Sequence, residues 1–370
     1  MNKSNWYELE NLANIDSPGL IFYEDRIREN IKMLLGMIDH KSRLRPHVKT
    51  HKSAEVTRLL LAAGLQQFKC ATIAEAEMLG ICEAPDVLLA YQPVGPNITR
   101  FMVLQERFPK TKFSCLVDNK ETASSVAAAA KQHNTTIQVF IDVNVGMNRT
   151  GVLSSKAFKL YEDLRSMEGL NVLGLHAYDG HVHDSDYSIR QEKVEAIITV
   201  LQDLSEQIEQ HDQHKPKVIA GGTPSFPIYA AASNFECSPG TFALWDHGYQ
   251  QAFHEQPFLP AALVLSRIVS LPDKNLICTD LGHKAVSAEN SLSQRITFLN
   301  APNLIPVSQS EEHLVLEAGE NHGYKVGDLL YGLPFHICPT VALYDTALSV
   351  STERPPEIWP INSRKRKDTI

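Results

Sequence analysis

Short apolar runs alternate with longer amphipathic stretches over about the first 230 residues of the chain. The short runs predict β-strands, and the stretches with apolar residues every three or four positions predict α-helices. The predicted strands are Leu20–Tyr23, Leu44–Lys49, Gln67–Ala71, Val87–Tyr91, Lys112–Val117, Gln138–Val143, Val172–Ala177 and Lys217–Ala220. The predicted helices between them are Arg26–Met37, Ala54–Ala63, Ile73–Ile81, Ile98–Phe108, Lys120–His133, Ser155–Met167 and Ser188–His211. Continuous apolar strands joined by helices favour a parallel sheet that is buried on both faces.

The number of strand–helix units indicates which kind of parallel sheet this is. Eight strands, each but the last followed by a helix, fit a (β/α)8 barrel of the TIM type, whose usual length is about 250 residues. An open doubly wound sheet is the alternative, but no G-x-G-x-x-G motif follows the first strand to support it. The sequence therefore predicts an α/β fold built on a barrel.

Beyond about residue 250 the pattern changes to short strand-like pieces separated by Gly, Pro and Asn turns. Helical periodicity is weak there, which predicts a mostly antiparallel β domain of about 120 residues. The pieces are Leu263–Ile268, Leu276–Thr279, Arg295–Phe298, His313–Glu317 and Leu329–Gly332. We therefore predict two domains: a barrel over residues 17–250, and a β domain over residues 251–370 that also includes residues 1–16.

Composition indicates which class of partner the protein binds and in which cellular compartment it lies. A net charge of −8 argues against a nucleic-acid binder, whose surface would be basic. No apolar run approaches the roughly 18 residues of a membrane span, and acidic residues stand where a signal peptide needs an apolar core. The six cysteines lie far apart, which indicates reduced thiols and a cytoplasmic location.

The segment R-P-H-V-K-T-H-K at residues 45–52 concentrates basic groups at the end of a predicted strand. Pro46 favours extended geometry in the residue before it. Cationic neighbours disfavour the charge of Lys49, and a depressed pKa is what an amine needs to attack a carbonyl group. The alternative interpretation is a basic strand end that binds phosphate or is merely solvated.

Other polar groups follow later strands of the predicted barrel. Arg149 follows the sixth strand, Tyr178 ends the seventh and Gly221-Gly222-Thr223 follows the eighth. Because barrel active sites form at the C-terminal ends of the strands, these groups should meet Lys49 at one mouth. The glycine turn suits a phosphate, or it is only a connector. The alternative interpretation of Arg149 is a salt bridge that holds its loop. The alternative interpretation of Tyr178 is a side chain that only packs at the end of the barrel.

Two motifs together resemble those of the D-threonine aldolase and D-serine dehydratase family, which comprises pyridoxal-phosphate (PLP) enzymes of the alanine-racemase-like fold, fold type III. They are R-P-H-x-K-T-H-K at residues 45–52 and H-I-C-P-T at residues 336–340, and the resemblance runs from Asp16 to Thr340. It implies that Lys49, not Lys52, carries PLP, with Arg149 nearby and Tyr178 against the pyridine ring. Phosphate contacts are implied for Gly221, Gly222, Thr223, Gly240 and Thr241.

The two histidines of the lysine motif, His47 and His51, flank Lys49 on the same face if the segment stays extended. They would orient cofactor or substrate, or simply satisfy hydrogen bonds of the loop. Ser238 occupies the place where alanine racemase has an arginine that contacts the pyridine nitrogen. A serine is a weak neutral partner, so the resemblance implies a poorer electron sink that depends on a second electrophile.

His336 and Cys338 would share one face of an extended segment, which Pro339 then ends. Imidazole and thiolate suit Zn²⁺, although an isolated H-x-C is usually inert. The resemblance implies that this pair binds the metal, Zn²⁺ with Mn²⁺ or Mg²⁺ as alternatives. The resemblance also favours dehydration over aldol cleavage, because the family's dehydratases carry Cys at the position of Cys338 and its aldolases more often carry Asp.

The resemblance implies a PLP- and metal-dependent lyase that acts on D-3-hydroxy amino acids such as D-serine, D-threonine or 3-hydroxyaspartate. Such an enzyme either eliminates the β-hydroxyl to give a 2-oxo acid and ammonia, or cleaves the carbon chain to glycine and an aldehyde. A homodimer is implied as well. The alternatives are an amino-acid racemase of the same fold, a non-catalytic PLP-binding protein, which would lack the β domain, and a metal-dependent barrel hydrolase.

Overall fold

The computed structural model describes residues 5–9, 15–367 and 369–370. Residues 1–4 and 10–14, which were predicted to belong with the β domain, lie outside the described residues. The strands, in chain order, are β1 (Gly19–Tyr23), β2 (Gln67–Cys70), β3 (Asp86–Leu89), β4 (Lys112–Val117), β5 (Ile137–Asn144), β6 (Val152–Leu153), β7 (Leu170–Ala177), β8 (Lys217–Ala220), β9 (Glu236–Cys237), β10 (Ala262–Asp273), β11 (Leu276–Thr279), β12 (Ile296–Phe298), β13 (Ile305–Gln309), β14 (Leu314–Glu317), β15 (Leu329–Pro334), β16 (Thr346–Val350) and β17 (Glu357–Pro360).

The helices that the sequence predicted are present, with ends that agree to within about two residues. The helices are α1 (Glu24–Gly36), α2 (Ala54–Ala62), α3 (Ile73–Ile81), α4 (Pro96–Arg107), α5 (Lys120–Gln132), α6 (Ser154–Arg165), α7 (Tyr187–Asp212), α8 (Phe226–Ala232), α9 (His247–Ala252) and α10 (Ile337–Val341). The sequence prediction gave no range for the last three of these. All helices of the described chain are too short or too polar to span a lipid bilayer.

Two compact units make up the described chain. One, the β unit, comprises the described residues through Asn30 together with Thr241–Arg364, and the other, the barrel unit, comprises Ile31–Gly240 and the described residues after Arg364. Residues 17–30 and 241–250, predicted as part of the barrel, therefore group with the β unit.

The barrel unit contains a parallel sheet in the order β2-β3-β4-β5-β7-β8-β9, with β6 beside β5. Residues 44–47 join the two ends of this sheet, through a bridge from Leu44 to Cys237 of β9 and a bridge from His47 to Lys69 of β2. These residues and seven strands of the sheet make eight parallel segments around a ring. The predicted (β/α)8 barrel is confirmed, and we call residues 44–47 the closing segment.

Two strand assignments differ from the sequence prediction. Leu20–Tyr23, predicted as the first barrel strand, lies in β1 of the β unit, where it pairs with β10 and β16. A short apolar run followed by a helix does not reveal which sheet it joins. The eighth barrel segment is instead β9, Glu236–Cys237, which at two residues is too short to give a sequence pattern.

The β unit is built on a sheet in the order β13-β14-β11-β10-β1-β16-β17, with β15 pairing both β10 and β12. Every pair in it is antiparallel except β1 with β16, so the mostly antiparallel prediction is confirmed. Three of its strands, β13, β16 and β17, were not predicted. Its core is an apolar and aromatic cluster that includes Tyr7, Ile21, Leu263, Tyr331 and Val350.

Inside the barrel, inward-facing residues of four strands pack together, and they are Leu88, Leu116, Phe140 and Ile219. The closing segment is held to β9 and β2 by backbone hydrogen bonds of 2.9 Å from Arg45 N to Cys237 O and from Lys69 N to Pro46 O. The fully buried Arg45 side chain also pairs with Asp86 at 2.6 Å and with Glu236 at 2.7 Å.

Replacement of Arg45 by methionine should lower the free energy of unfolding by about 3 kcal/mol or more, because two carboxylates beside the closing segment then lose their counter-charge. Arg58 pairs with Glu55 at 3.2 Å on an exposed helix face, and such a pair contributes less than about 1 kcal/mol. Arg58→Met is therefore the control, with urea unfolding followed by circular dichroism. Equal losses in the two variants would show that the closure does not depend on Arg45.

Candidate active site

Lys49 lies in a turn that begins as soon as the closing segment ends. The backbone is bridged at His47, and residues 48–51 form the turn. The Lys49 backbone N–H donates to His47 Nδ1 at 3.2 Å. The segment therefore does not stay extended past His47, because backbone pairing to Lys69 ends at the Val48 N–H. His47 and His51 therefore do not share one face of an extended strand, because a turn separates them.

Three cationic side chains surround the ring of Tyr178. The Lys49 Nζ lies 5.4 Å from the ring centroid, the Lys69 Nζ lies 5.7 Å from it and the Arg149 Cζ lies 5.1 Å from it. These distances are those of cation–π contacts. The structure thus brings together Lys49, Arg149 and Tyr178, which the sequence predicted to meet at the ends of barrel strands.

Lys69 is a member of this group that the sequence reasoning missed. It lies on β2 and is only 2% exposed. Burial lowers its pKa to about 7, and the nearby charge of Lys49 acts in the same direction. A lysine inside a short apolar strand, Gln67–Cys70, was the available signal, because charged residues are seldom fully buried without a partner.

The cations next to Lys49 in sequence are not the ones that lie with it at the Tyr178 ring. Arg45 is paired with Asp86 and Glu236, and Lys52 is paired with the fully buried Glu75. Carboxylates therefore neutralise both of the groups that were expected to crowd Lys49. The unexpected Lys69, from the neighbouring strand, takes their place.

Both histidines of the lysine motif are buried and uncharged at neutral pH. Burial lowers the pKa of His47 well below its ordinary value, and neighbouring lysines add to this shift. Burial also lowers the pKa of His51 to about 3. His47 Nδ1 accepts a hydrogen bond from the Lys49 backbone N–H, and His51 Nδ1 accepts one from the Ser53 backbone N–H, both at 3.2 Å. This geometry favours the interpretation that the histidines satisfy hydrogen bonds of the turn.

A carboxylate network supports the loop that carries Arg149. Asp142 accepts hydrogen bonds from Gln92 Nε2 and Thr150 Oγ1, both at 2.9 Å, and lies 2.8 Å from His176 Nδ1. Burial opposes ionisation of Asp142, but these hydrogen bonds outweigh it and lower its pKa. The buried His176 Nε2 has no hydrogen-bond partner within the described part of the chain.

The predicted phosphate-binding loops of the barrel unit lie against one another and against the residues above. The Gly240 N–H donates to Thr223 Oγ1 at 3.0 Å. A Cβ atom on Gly222 would lie 3.1 Å from the Tyr178 ring, and one on Gly240 would lie 2.9 Å from the His47 carbonyl oxygen. Glycine at both positions therefore lets the backbone pack closely against the Tyr178 ring and the His47 carbonyl oxygen.

The residues of the barrel unit fit a phosphorylated aldehyde cofactor. Lys49 supplies an amine, and the glycine loops supply a backbone cradle for an anionic group. The buried hydroxyl of Ser238 has no hydrogen-bond partner among residues 5–9, 15–367 and 369–370. A buried polar atom without a partner costs free energy unless a ligand satisfies it. The Ser238 hydroxyl and the His176 Nε2 are thus two buried polar atoms of the barrel unit that lack a partner in the described chain.

The histidine and cysteine predicted to bind a metal lie in the β unit at the start of a short helix. Strand β15 ends at Pro334, His336 is the residue before α10, and Cys338 and Pro339 lie in its first turn. The predicted extended segment ended by Pro339 is therefore wrong. Proline is well tolerated in a first helical turn, where its missing N–H has no partner to lose.

The chemistry of the pair nevertheless suits a divalent metal. Burial opposes the charge of His336, but interaction with Cys338 and a hydrogen bond to Glu289 raise its pKa to about 9. Cys338 Sγ also lies 3.7 Å from Thr241 Oγ1, so Thr241, a predicted phosphate contact, lies in the β unit beside the thiol. In the described residues no cluster of three or more His, Cys, Asp or Glu side chains has the arrangement of a metal site.

Curated relatives extend over nearly the full length of this chain. A D-threonine aldolase of Arthrobacter sp is 27% identical, with 95% of this chain and 94% of that protein covered. A D-threo-3-hydroxyaspartate dehydratase of Delftia sp. (strain HT23) is 23% identical, with 95% of this chain and 98% of that protein covered. Proteins similar to this chain thus include both kinds of lyase.

A solved structure and two family models agree with these relatives. The crystal structure of D-threonine aldolase from Filomicrobium marinum superposes with a TM-score of 0.84 and 25% identity, covering 95% of this chain and 96% of that one. Residues 261–350 match the model of a putative serine dehydratase domain. Residues 23–243 match the model of the alanine racemase N-terminal domain, and the chain belongs to that family.

Proposed function

We propose that this chain is a PLP-dependent lyase that acts on D-3-hydroxy amino acids of the D-serine, D-threonine or 3-hydroxyaspartate type. The observation that carries the proposal is the meeting of the Lys49 amine with Arg149 and Tyr178 at one end of the barrel. The glycine loops and the unpartnered Ser238 hydroxyl of the same described unit support it. Relatives named as an aldolase and a dehydratase support the reaction class.

The cofactor proposed for the barrel unit is PLP, which when bound stabilises negative charge at the α-carbon of an amino acid. Lys49 would hold the cofactor covalently through its amine. Tyr178 and Arg149 would orient it, and its phosphate would be held by the loop residues Gly221, Gly222, Thr223 and Gly240, with Thr241 as a further contact. His47 and His51 fix the turn from which Lys49 projects.

Proton transfer by the chain's own groups decides which bond breaks. If the Lys49 amine takes the α-proton, the β-hydroxyl leaves, and the products are a 2-oxo acid and ammonia. If a base takes the hydroxyl proton instead, the bond between the α- and β-carbons breaks, and the products are glycine and an aldehyde. Both reactions start from the same bound amino acid, so one site serves either.

The proposed metal ligands are His336 and Cys338, with Zn²⁺ as the preferred ion and Mn²⁺ or Mg²⁺ as alternatives. A bound divalent ion polarises an oxygen as a Lewis acid, here the β-hydroxyl. The role of Glu289 would be to orient the His336 ring through Nδ1. Racemisation needs no activation of a leaving group, so the metal pair favours the lyase over a racemase.

Two further features complete the proposal. We propose a homodimer, supported by outward-facing apolar residues of strand β10, Val269 and Leu271, each 42% exposed. We propose a cytoplasmic location, supported by the absence of a disulfide bond among the six cysteines of the described chain. Light scattering after size exclusion measures the oligomeric state.

Absorbance at the edge of the visible range tests the cofactor and its attachment. Wild-type protein mixed with PLP should show the band of lysine-bound PLP. The Lys49→Arg variant should lose it, because a guanidinium cannot form the covalent bond. Lys52→Arg is the matched control and should keep the band, since arginine preserves the pair with Glu75. A wild-type protein without the band, or a band that survives Lys49→Arg, would rule out the assignment.

Product analysis tests the reaction class. The PLP-loaded enzyme is incubated with D-serine, D-threonine and D-3-hydroxyaspartate, and the products are separated as 2-oxo acid with ammonia or as glycine with aldehyde. We expect one of these product pairs from at least one substrate, because both follow from charge stabilised at the α-carbon. Inversion to the L-amino acid as the sole product would favour the racemase alternative.

Chelation and two substitutions test the metal. Removal of divalent ions, His336→Gln and Cys338→Ser should each reduce turnover at least about tenfold. Loss of a residue that only orients a metal ligand already reduces metal affinity or activity by about that factor. The absorbance band of lysine-bound PLP should remain, since neither His336 nor Cys338 takes part in the covalent attachment proposed for Lys49. Cys278→Ser, a thiol on β11 of the same unit, is the control. Turnover that is indifferent to chelation would exclude the proposed role of His336 and Cys338.

A further inference from the structure

Among the fully buried lysine and arginine side chains of the described chain, Lys69 is the one with neither a carboxylate nor a hydrogen-bond acceptor at its cationic group. No carboxylate of the described residues lies within 4.0 Å of its ammonium and no side-chain hydrogen bond reaches it. The other two buried cations are satisfied, since Arg45 pairs with Asp86 and Glu236, and Arg190 donates to a backbone carbonyl oxygen. An unpaired charge in a buried position is costly unless something else compensates it.

The charges of Asp179 and Asp142 favour the ammonium of Lys69 only in part, because burial outweighs them and neither carboxylate lies within 4.0 Å of it. Asp142 is engaged by Gln92, Thr150 and His176. Asp179 is fully buried, and burial raises its pKa despite hydrogen bonds with neighbouring hydroxyls, so its charged form is disfavoured. Lys49 adds a second positive charge beside the same ring.

We propose that Lys69 is a binding residue of the Lys49 site, whose ammonium holds an anionic oxygen of the molecule bound there. This inference rests on the proposed function and extends it. Two sources carry such an oxygen: the carboxylate of the amino-acid substrate and the phenolate oxygen attached to the pyridine ring of the aldehyde cofactor. The Lys69 Nζ lies 5.7 Å from the Tyr178 ring centroid, against 5.4 Å for Lys49 Nζ, so both amines face the same ring.

Substitution of Lys69 in the full-length protein separates binding from a merely structural role. Lys69→Met removes the charge at similar volume, and Lys69→Arg keeps it. The first measurement is the dissociation constant for PLP added to apoprotein. The second is the split between KM and kcat for D-3-hydroxyaspartate and D-threonine.

Lys69→Met should weaken PLP binding or raise KM at least about tenfold, the factor that corresponds to loss of one hydrogen bond to a charged group. Weaker PLP binding identifies the cofactor oxygen, and a raised KM alone identifies the substrate carboxylate. Lys69→Arg should restore most of the loss. If Lys69→Met changes neither value by more than about twofold, the inference is overturned.

A pH series provides a test that does not require Lys69→Met to fold. The ammonium must be charged to hold an anion, and the pKa of Lys69 without an anion is about 7. Wild-type affinity for PLP, or for D-3-hydroxyaspartate if only KM responds to Lys69→Met, should therefore fall as pH rises above about 7, while that of Lys69→Arg stays higher. The other groups that act on Lys69 or respond to it are unchanged between the two proteins, and they are Lys49, Asp142, Asp179, Arg45, His47 and His176. Parallel pH curves would contradict the proposal.

The outcome also distinguishes this inference from the function on which it rests. If the wild-type protein binds no PLP, the proposed function fails. If the wild-type protein binds PLP and turns over substrate, and both Lys69 variants match it, only the role of Lys69 fails.

Discussion

Closure of the barrel by residues 44–47 is the constraint on which the candidate site depends. Successive residues of this segment hydrogen-bond in opposite directions, Arg45 toward Cys237 of β9 and Pro46 toward Lys69 of β2. Proline fits here because its carbonyl accepts the Lys69 N–H, while the missing donor of Pro46 is not needed. The turn that contains Lys49 starts from this doubly held backbone, so the barrel fixes the position from which the amine projects.

The same segment separates two kinds of cation. Arg45 and Lys52 are paired with carboxylates, and their positive charge is used to join the lysine segment to neighbouring elements. Lys49 and Lys69 have no such partner in the described chain and face one aromatic ring. The basic motif and its neighbouring strand therefore contain two kinds of cation: those that form ion pairs within the fold and those that face the Tyr178 ring. Neither local composition nor spacing in the sequence reveals which residue belongs to which kind.

The sequence predicts the parts of the fold and site that depend on regular patterns. Strand and helix periodicity predicts the barrel, and the rule that barrel sites form at strand ends brings Lys49, Arg149 and Tyr178 together. It does not predict what depends on long-range pairing. Leu20–Tyr23 joins a sheet through strands from the far end of the chain, β10 and β16, and Glu236–Cys237 is a strand only because residues 44–47 and β8 lie beside it.

The geometry also limits which groups of the barrel unit can accept a proton at neutral pH. His47 and His51 use the Nδ1 lone pair for a backbone N–H, so protonation at Nδ1 would cost both desolvation and a turn hydrogen bond. His176 holds Asp142 through Nδ1 and has a lowered pKa because it is buried. The amines of Lys49 and Lys69 are the basic groups left facing Tyr178 among the described residues. A proton acceptor in this unit is therefore to be sought among the two lysine amines and the unpartnered Nε2 of His176, whereas His47 and His51 hold the turn that contains Lys49.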